Sequence, residues 1–383
     1  MGAPIVIVGA GMAAYGVVRE LRKLDKLTPL LIVAADAGSA YAKPMLSNAI
    51  ALGKGAAQLV SHSADQMALQ LNATVLTHTT VTTIDSAAHT LEAGGGSISY
   101  SKLVLALGAQ PIRLPMQGDG ADAVLSVNNI DDYAALRAQL EQIGGPARVL
   151  IIGAGLIGCE FADDLLAGGH HVTLVDPNRL PLAALAAPSL SAGLARAWDG
   201  RALDLRLDTT VVAVARTGQG FLASLADGSG VQADLVLSAV GLRPSTALAM
   251  AAGLETRRGI VVDQYGQTSA SDIFALGDCA EYALEGVMPY VGPLLAAARA
   301  IAATLVGTPT PIAMKREAVI VKTPSYRLAL APPPPGISGQ WVDEHDSERT
   351  IARFMDDAGM LRGFGLSGHT PALRQKLLAE MPA

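Results

Sequence analysis

Two stretches of this sequence combine glycine spacing with an apolar lead-in. Gly9-Ala10-Gly11-Met12-Ala13-Ala14 follows Ile5–Val8, and Gly153-Ala154-Gly155-Leu156-Ile157-Gly158 follows the run 149–152. In each, the first glycine permits a tight strand-to-helix turn and the second lets backbone approach a pyrophosphate. The third small residue, Ala14 or Gly158, allows helix and strand to pack closely. Phosphate charge then rests against the free N–H groups of the helix start. One such motif is weak evidence, because glycine turns after strands are common; two in one chain are much stronger.

Carboxylates complete the pattern. Asp176 closes the apolar run that follows the second motif, where an acid accepts hydrogen bonds from a ribose 2′-OH and repels a 2′-phosphate. The second motif therefore favours NADH over NADPH. Arg179 is a counter-signal, read as a solvated loop charge. Asp36, slightly late after the first unit's second apolar run, is the candidate for the other ribose, with a surface-turn aspartate as the bland alternative. A third signal is the run 268–278, which ends Ile273-Phe274-Ala275-Leu276-Gly277-Asp278. A strand that delivers Asp278 beyond a glycine can present a carboxylate to the ribityl hydroxyls of FAD; the alternative is a helix cap.

These residues require strands and helices in a set order. Helical patterns over 15–26 and 159–166 follow the motifs, and new apolar runs at 30–33 and 171–175 close two β-α-β units. Further strands are expected at 102–107, 235–240 and 273–276, with a glycine hairpin turn within 92–98. A helix is expected over 293–306, with proline in its first turn and Gly307 after its end. The tail reads as a strand at 318–322, an irregular proline crossing at 332–335 and a hairpin over 351–364 turning at Ala358-Gly359.

The fold class is thus α/β: two Rossmann-like dinucleotide-binding domains plus a small C-terminal α+β domain. The expected division is 1–112 and 241–317 for FAD, 113–240 for NAD, and 318–383 as an interface domain.

Composition limits the alternatives. A chain of 383 residues exceeds one compact core. The formal net charge of −6 argues against general affinity for nucleic acid or anionic lipid. There is no secretory pattern at the start, and the most apolar stretch, 291–307, carries Arg299 and Pro293. Two cysteines, Cys159 and Cys279, fit a reducing compartment, so a cytosolic location is expected. Neither belongs to a C-x-x-C or C-x-x-x-x-C pair, and both read as small buried hydrophobes. The paired His170-His171 abut a strand start and read as solvent-facing; no cysteine or histidine cluster suggests a metal.

The three motifs together resemble the two-dinucleotide-binding flavoprotein superfamily, which includes glutathione reductase, ferredoxin reductases and NADH oxidases. Tyr41-Ala42-Lys43-Pro44-Met45-Leu46-Ser47 is similar to the flavin-side loop of rubredoxin- and oxygenase-coupled reductases. Gly158-Cys159-Glu160-Phe161-Ala162, Gly277-Asp278-Cys279-Ala280-Glu281 and Val321-Lys322-Thr323-Pro324 are most similar to the rubredoxin–NAD reductase family, end to end.

That resemblance implies FAD contacts at Gly9, Ala10, Gly11, Met12, Ala13, Ala34, Ala35, Lys43, Val81, Glu160, Asp278, Val291 and Lys322. It implies NAD contacts at Gly153, Gly155, Gly158 and Asp176, with Glu160 orienting near nicotinamide and flavin. One departure is Gly292, where the family pattern has methionine at the start of the helix expected to face the flavin. Disulfide reductases of the superfamily need a thiol pair, and NADH oxidases keep one cysteine in the loop equivalent to 43–48. Ser47 and Asn48 stand there instead.

Electrons are therefore expected to leave directly from FAD, which takes a hydride and releases electrons singly. No side chain is needed as acid, base or nucleophile. The implied acceptor is rubredoxin, serving alkane hydroxylation or another rubredoxin-dependent pathway. Lys54, Lys315, Arg316 and Arg327 are candidates for steering that acidic partner. A ferredoxin reductase and a non-enzymatic flavin redox sensor are the alternatives. The resemblance also implies a monomer, the C-terminal region being shorter than the large dimerisation domain of disulfide reductases.

Overall fold

In the computed structural model, which describes residues 2–283, 285–345, 349–368 and 370–382, the chain divides into two compact units. Met1–Lys43, Ala57–Gln110 and Leu242–Lys315 form the first; Pro44–Ala56, Pro111–Gly241 and Arg316–Ala383 form the second. Three helices matter most for function: α1 (Met12–Leu24), α2 (Leu156–Ala167) and α3 (Val291–Leu305).

The first unit is built on a five-stranded parallel sheet in the order Ile273–Ala275, Lys102–Leu105, Ile5–Val8, Leu30–Val33, Thr74–Leu76. Its central strands read as continuous Val/Ile/Leu runs because both sheet faces are covered. Ile7, Val17, Leu21, Ile32, Leu103, Val104 and Ile301 are all fully buried. Gly16 lets α1 and α3 approach closely, since a Cβ there would already touch Ala298 at 3.4 Å. A three-stranded antiparallel meander, Val81–Asp85, Thr90–Ala93 and Gly96–Ser99, turns at Gly94-Gly95 as the glycine run predicts.

The second unit repeats the plan. Its parallel sheet runs Leu203–Leu207, His171–Asp176, Arg148–Ile152, Leu235–Ser238, and its meander is Val211–Thr217, Gly220–Leu225, Gly230–Ala233. The tail adds a five-stranded antiparallel sheet in the order Val319–Val321, Leu328–Ala331, Leu361–Ser367, Thr350–Asp356, Gly339–His345. Phe364, Leu366 and Leu377 bury one face of it, the last from the helix Pro371–Glu380.

Several expected boundaries shift. The helices expected over 15–26 and 159–166 begin at Met12 and Leu156, directly on the glycine motifs. α1 stops at Leu24 because the Asp25 carboxylate accepts the N–H groups of Leu27 and Thr28, turning the chain. α3 starts two residues before Pro293, which the first turn tolerates because proline lacks only an N–H that would have no intrahelical partner there. The strands expected at 102–107, 235–240, 273–276 and 318–322 are each shorter. The strands Gly339–His345 and Leu328–Ala331 and the capped helix Ile130–Ile143 were not foreseen. His171 is exposed as expected, but His170 is not free: its Nδ1 accepts the Ala147 N–H at 3.1 Å.

Candidate functional site

Each glycine motif sits where strand order reverses, the place at which doubly wound sheets bind ligands. Gly9 donates its N–H to Val33 O at 2.8 Å and Ala106 donates to Val8 O at 2.9 Å. The second unit has the same pair, Gly153 to Val175 O at 2.8 Å and Ala239 to Ile152 O at 2.7 Å. Gly9 has φ +113° and Gly153 φ +102°, so each turn needs glycine on backbone grounds. Space requires it too: a Cβ on Gly9 would strike the Ala106 carbonyl, and one on Gly153 would lie 2.8 Å from Ala239 O. A Cβ on Gly158 would strike Gly153 O, which explains the third glycine.

The middle glycines are different. Gly11 and Gly155 have ordinary extended backbone and nothing within 4 Å of a Cβ position. Each is the N-cap of its helix, and neither helix start has a side-chain cap. That combination, an open space in front of uncapped helix N–H groups, fits the pyrophosphates of two dinucleotides.

Around the first cradle, Gly277 (φ +75°) brings the late aspartate close; a Cβ there would lie 3.0 Å from the Ala13 Cβ. Asp278 follows on the short turn Gly277–Cys279, and its Oδ2 lies 3.6 Å from Lys43 Nζ. Ala10, Ala34 and Val81 are buried, whereas Ala35 is exposed. Both backbone groups of Ala34 are already bonded, its N–H to Leu76 O and its carbonyl to the Thr79 N–H. Val291 opens α3, whose N-cap Tyr290 likewise provides no side-chain cap. Asp36 accepts the Gly38 N–H at 2.9 Å, an Asx turn with the rest of its carboxylate exposed. Tyr15, which the sequence did not single out, donates its hydroxyl to Gly38 O at 2.5 Å. Burial pushes that phenol up to about 12, so it remains a donor holding this loop.

In the second cradle Asp176 is buried at the end of its strand. Its Oδ2 accepts the Ala154 N–H at 2.7 Å, and its Oδ1 accepts the N–H and the carboxamide of Asn178, both at 2.8 Å. The acid thus braces the glycine loop from which α2 starts. An ionised carboxylate has about four acceptor sites, which leaves capacity for a hydroxyl.

Glu160 and Lys322, expected to share the flavin with the first motif, both belong to the second unit. Glu160 is fully buried on α2. Its Oε1 accepts the Lys322 N–H at 3.0 Å; its Oε2 accepts Lys322 Nζ and the Ser47 hydroxyl, each at 2.6 Å. The lysine head also donates to Pro44 O at 2.5 Å and Ser47 Oγ at 3.0 Å, engaging its three N–H bonds.

Two more buried acids follow on α2. Asp164 accepts the Ile50 and Ala51 N–H groups at 2.8 and 3.0 Å, with its carboxyl raised by burial. Asp163 accepts from Trp198 Nε1, Arg201 and the backbone and hydroxyl of Ser325. Nothing local in the sequence marks this row as structural; buried acids spaced along a helix face are the signal available.

Both cysteines are fully buried and unpaired. Burial pushes the Cys159 thiol well up, and that of Cys279 to about 11, so neither supplies a thiolate. Among the described residues no helix is long and apolar enough to cross a membrane.

Comparison with known proteins gives two family matches: the pyridine nucleotide-disulphide oxidoreductases over residues 3–301 and the rubredoxin binding C-terminal domain over residues 311–381. A rubredoxin-NAD(+) reductase of Alcanivorax borkumensis is 42% identical, covering 99% of either chain. A nitric oxide reductase FlRd-NAD(+) reductase of Aeromonas hydrophila is 38% identical over 99% of this chain and 96% of that one. Among solved structures, a ferredoxin reductase from Rhodopseudomonas palustris superposes with a TM-score of 0.89 at 25% identity. That match covers 100% of this chain and 96% of the other.

Proposed function

The chain belongs to the pyridine nucleotide-disulphide oxidoreductase family, and from that premise we propose that it is an NADH-dependent flavoprotein reductase of rubredoxin. One observation carries the reading. Two glycine cradles with uncapped helix starts occur in one chain whose cysteines are both inert, and that chain ends in a match to a rubredoxin binding domain.

FAD in the first cradle would accept hydride and release electrons singly. The residues do the holding. Gly9 to Ala13 receive the pyrophosphate, Asp278 accepts from ribityl hydroxyls, and the start of α3 at Val291 offers its positive end. Ala34, Ala35, Lys43 and Val81 complete the flavin set, with Glu160 and Lys322 assigned to it by resemblance. Gly153, Gly155, Gly158 and Asp176 hold NADH. Residues 1–112 and 241–317 take the FAD role, 113–240 the NAD role, and 318–383 the acceptor role. A cytosolic, monomeric enzyme feeding alkane hydroxylation or another rubredoxin-dependent pathway accords with this reading.

The second reading, a [2Fe–2S] ferredoxin as acceptor, draws support from the ferredoxin reductase superposition. Cytochrome c reduction by the FAD-loaded protein with NADH, in the presence of either carrier, separates them. Rubredoxin is expected to support turnover; turnover with ferredoxin alone would overturn the proposal. Bleaching of the flavin by NADH slower than seconds would instead favour a redox sensor.

A further inference from the structure

We propose that Asp208 is a second determinant of NADH over NADPH choice, acting by holding Arg179; the inference rests on the NADH reading above. The strands His171–Asp176 and Leu203–Leu207 are parallel neighbours, so the loops that follow them leave the same sheet edge. Those loops are laced together. Asp208 donates its N–H to Asn178 O at 3.1 Å, and Thr209 donates to Asp176 O at 3.2 Å. Asn178 in turn donates twice to the Asp176 carboxylate. Asp208 therefore reaches the loop immediately beyond the ribose-marking acid, and its Oδ2 lies 3.4 Å from Arg179 Nε.

Charge decides the consequence. Asp176, Asp208 and Arg179 sum to one negative charge at this edge, and a 2′-phosphate brings about two more. An unengaged Arg179 is the group best shaped to grip that phosphate, through two parallel N–H bonds. Asp208 competes for the same guanidinium. Arg179 and Asp208 side chains are 87% and 63% exposed, so the pair contributes little to stability, yet both remain accessible to a ligand. The arrangement depends on an uncommon backbone: Asp208 has φ +62°, a left-handed conformation that asparagine and glycine also accept. Asp208→Asn and Asp208→Gly therefore remove the charge without imposing a new backbone.

The test uses the FAD-loaded full chain with ferricyanide as acceptor, so that the identity of the protein partner does not enter. Asp208→Asn should raise kcat/KM for NADPH about fivefold, equivalent to roughly 1 kcal/mol, and leave NADH within about twofold. Asp208→Gly should do the same, and 2′,5′-ADP should inhibit both variants at lower concentration than wild type. Adding Arg179→Ala to Asp208→Asn should cancel the gain. An unchanged NADPH/NADH ratio in both Asp208 variants, or a gain that persists without Arg179, overturns the inference while leaving NADH use intact. A wild-type flavin that neither nucleotide reduces would instead remove the nucleotide reading itself, and the inference with it.

Discussion

At the scale of single residues, Ser47 shows how a modest side chain can hold an expensive charge. Its hydroxyl gives Glu160 one of that buried carboxylate's three protein donors and accepts one of the three N–H bonds of Lys322. The Ser47 hydroxyl closes a ring around the Glu160–Lys322 ion pair. Ser47→Ala should lower stability by about 1–2 kcal/mol, since it strips a donor from a buried charge. Urea unfolding of the holoprotein checks this, and Ser47→Thr should recover most of the loss. A Ser47→Ala protein as stable as wild type would mean that the lysine and backbone alone satisfy Glu160.

The element scale is where the glycine motifs separate folding from binding. Gly9 and Gly153 are needed by the turn itself, through left-handed backbone and close carbonyls. Gly11 and Gly155 are needed by neither, since their backbone is ordinary and space lies in front of them. Gly11→Val should therefore yield a folded protein whose FAD affinity falls at least about tenfold. Gly9→Val should fail to accumulate as folded protein. Gly155→Val should keep its FAD but lose reduction by NADH. Flavin absorbance per folded chain, with circular dichroism as the folding control, distinguishes the three. Equal loss of fold in Gly11→Val and Gly9→Val would show that both glycines are structural.

For the molecule as a whole, pH acts on the second unit through His170. Burial and the nearby charges of Arg137 and His171 lower its pKa, and its Nδ1 is an acceptor that protonation would block. The folded state thus binds this proton less readily than the unfolded chain does. Stability is fully present above the unfolded histidine value near 6.5 and is lost as pH falls below it. Both tryptophans, Trp198 and Trp341, lie in the second unit, so their fluorescence reports its unfolding. The urea midpoint should fall between pH 7.5 and 5.5, and His170→Gln should flatten that dependence. A slope that survives the substitution would place the titrating group elsewhere.

What could be read from the chain alone follows the range of the forces involved. The paired motifs, the β-α-β order and the strand carrying Asp278 are local: apolar periodicity and the backbone freedom of glycine act within a few residues, so composition at fixed spacing reveals them. The inertness of the cysteines was also legible, because a redox pair requires a spacing that is absent. The ring of Ser47, Glu160 and Lys322 joins residues more than one hundred positions apart, and no local pattern encodes such a meeting. Asp176 shows the division within one residue. Its position after a strand makes it a candidate ribose acceptor, but only the folded chain brings Ala154 and Asn178 onto its oxygens and Asp208 against Arg179. Those contacts depend on sheet register and loop conformation, which many long-range packing interactions decide together.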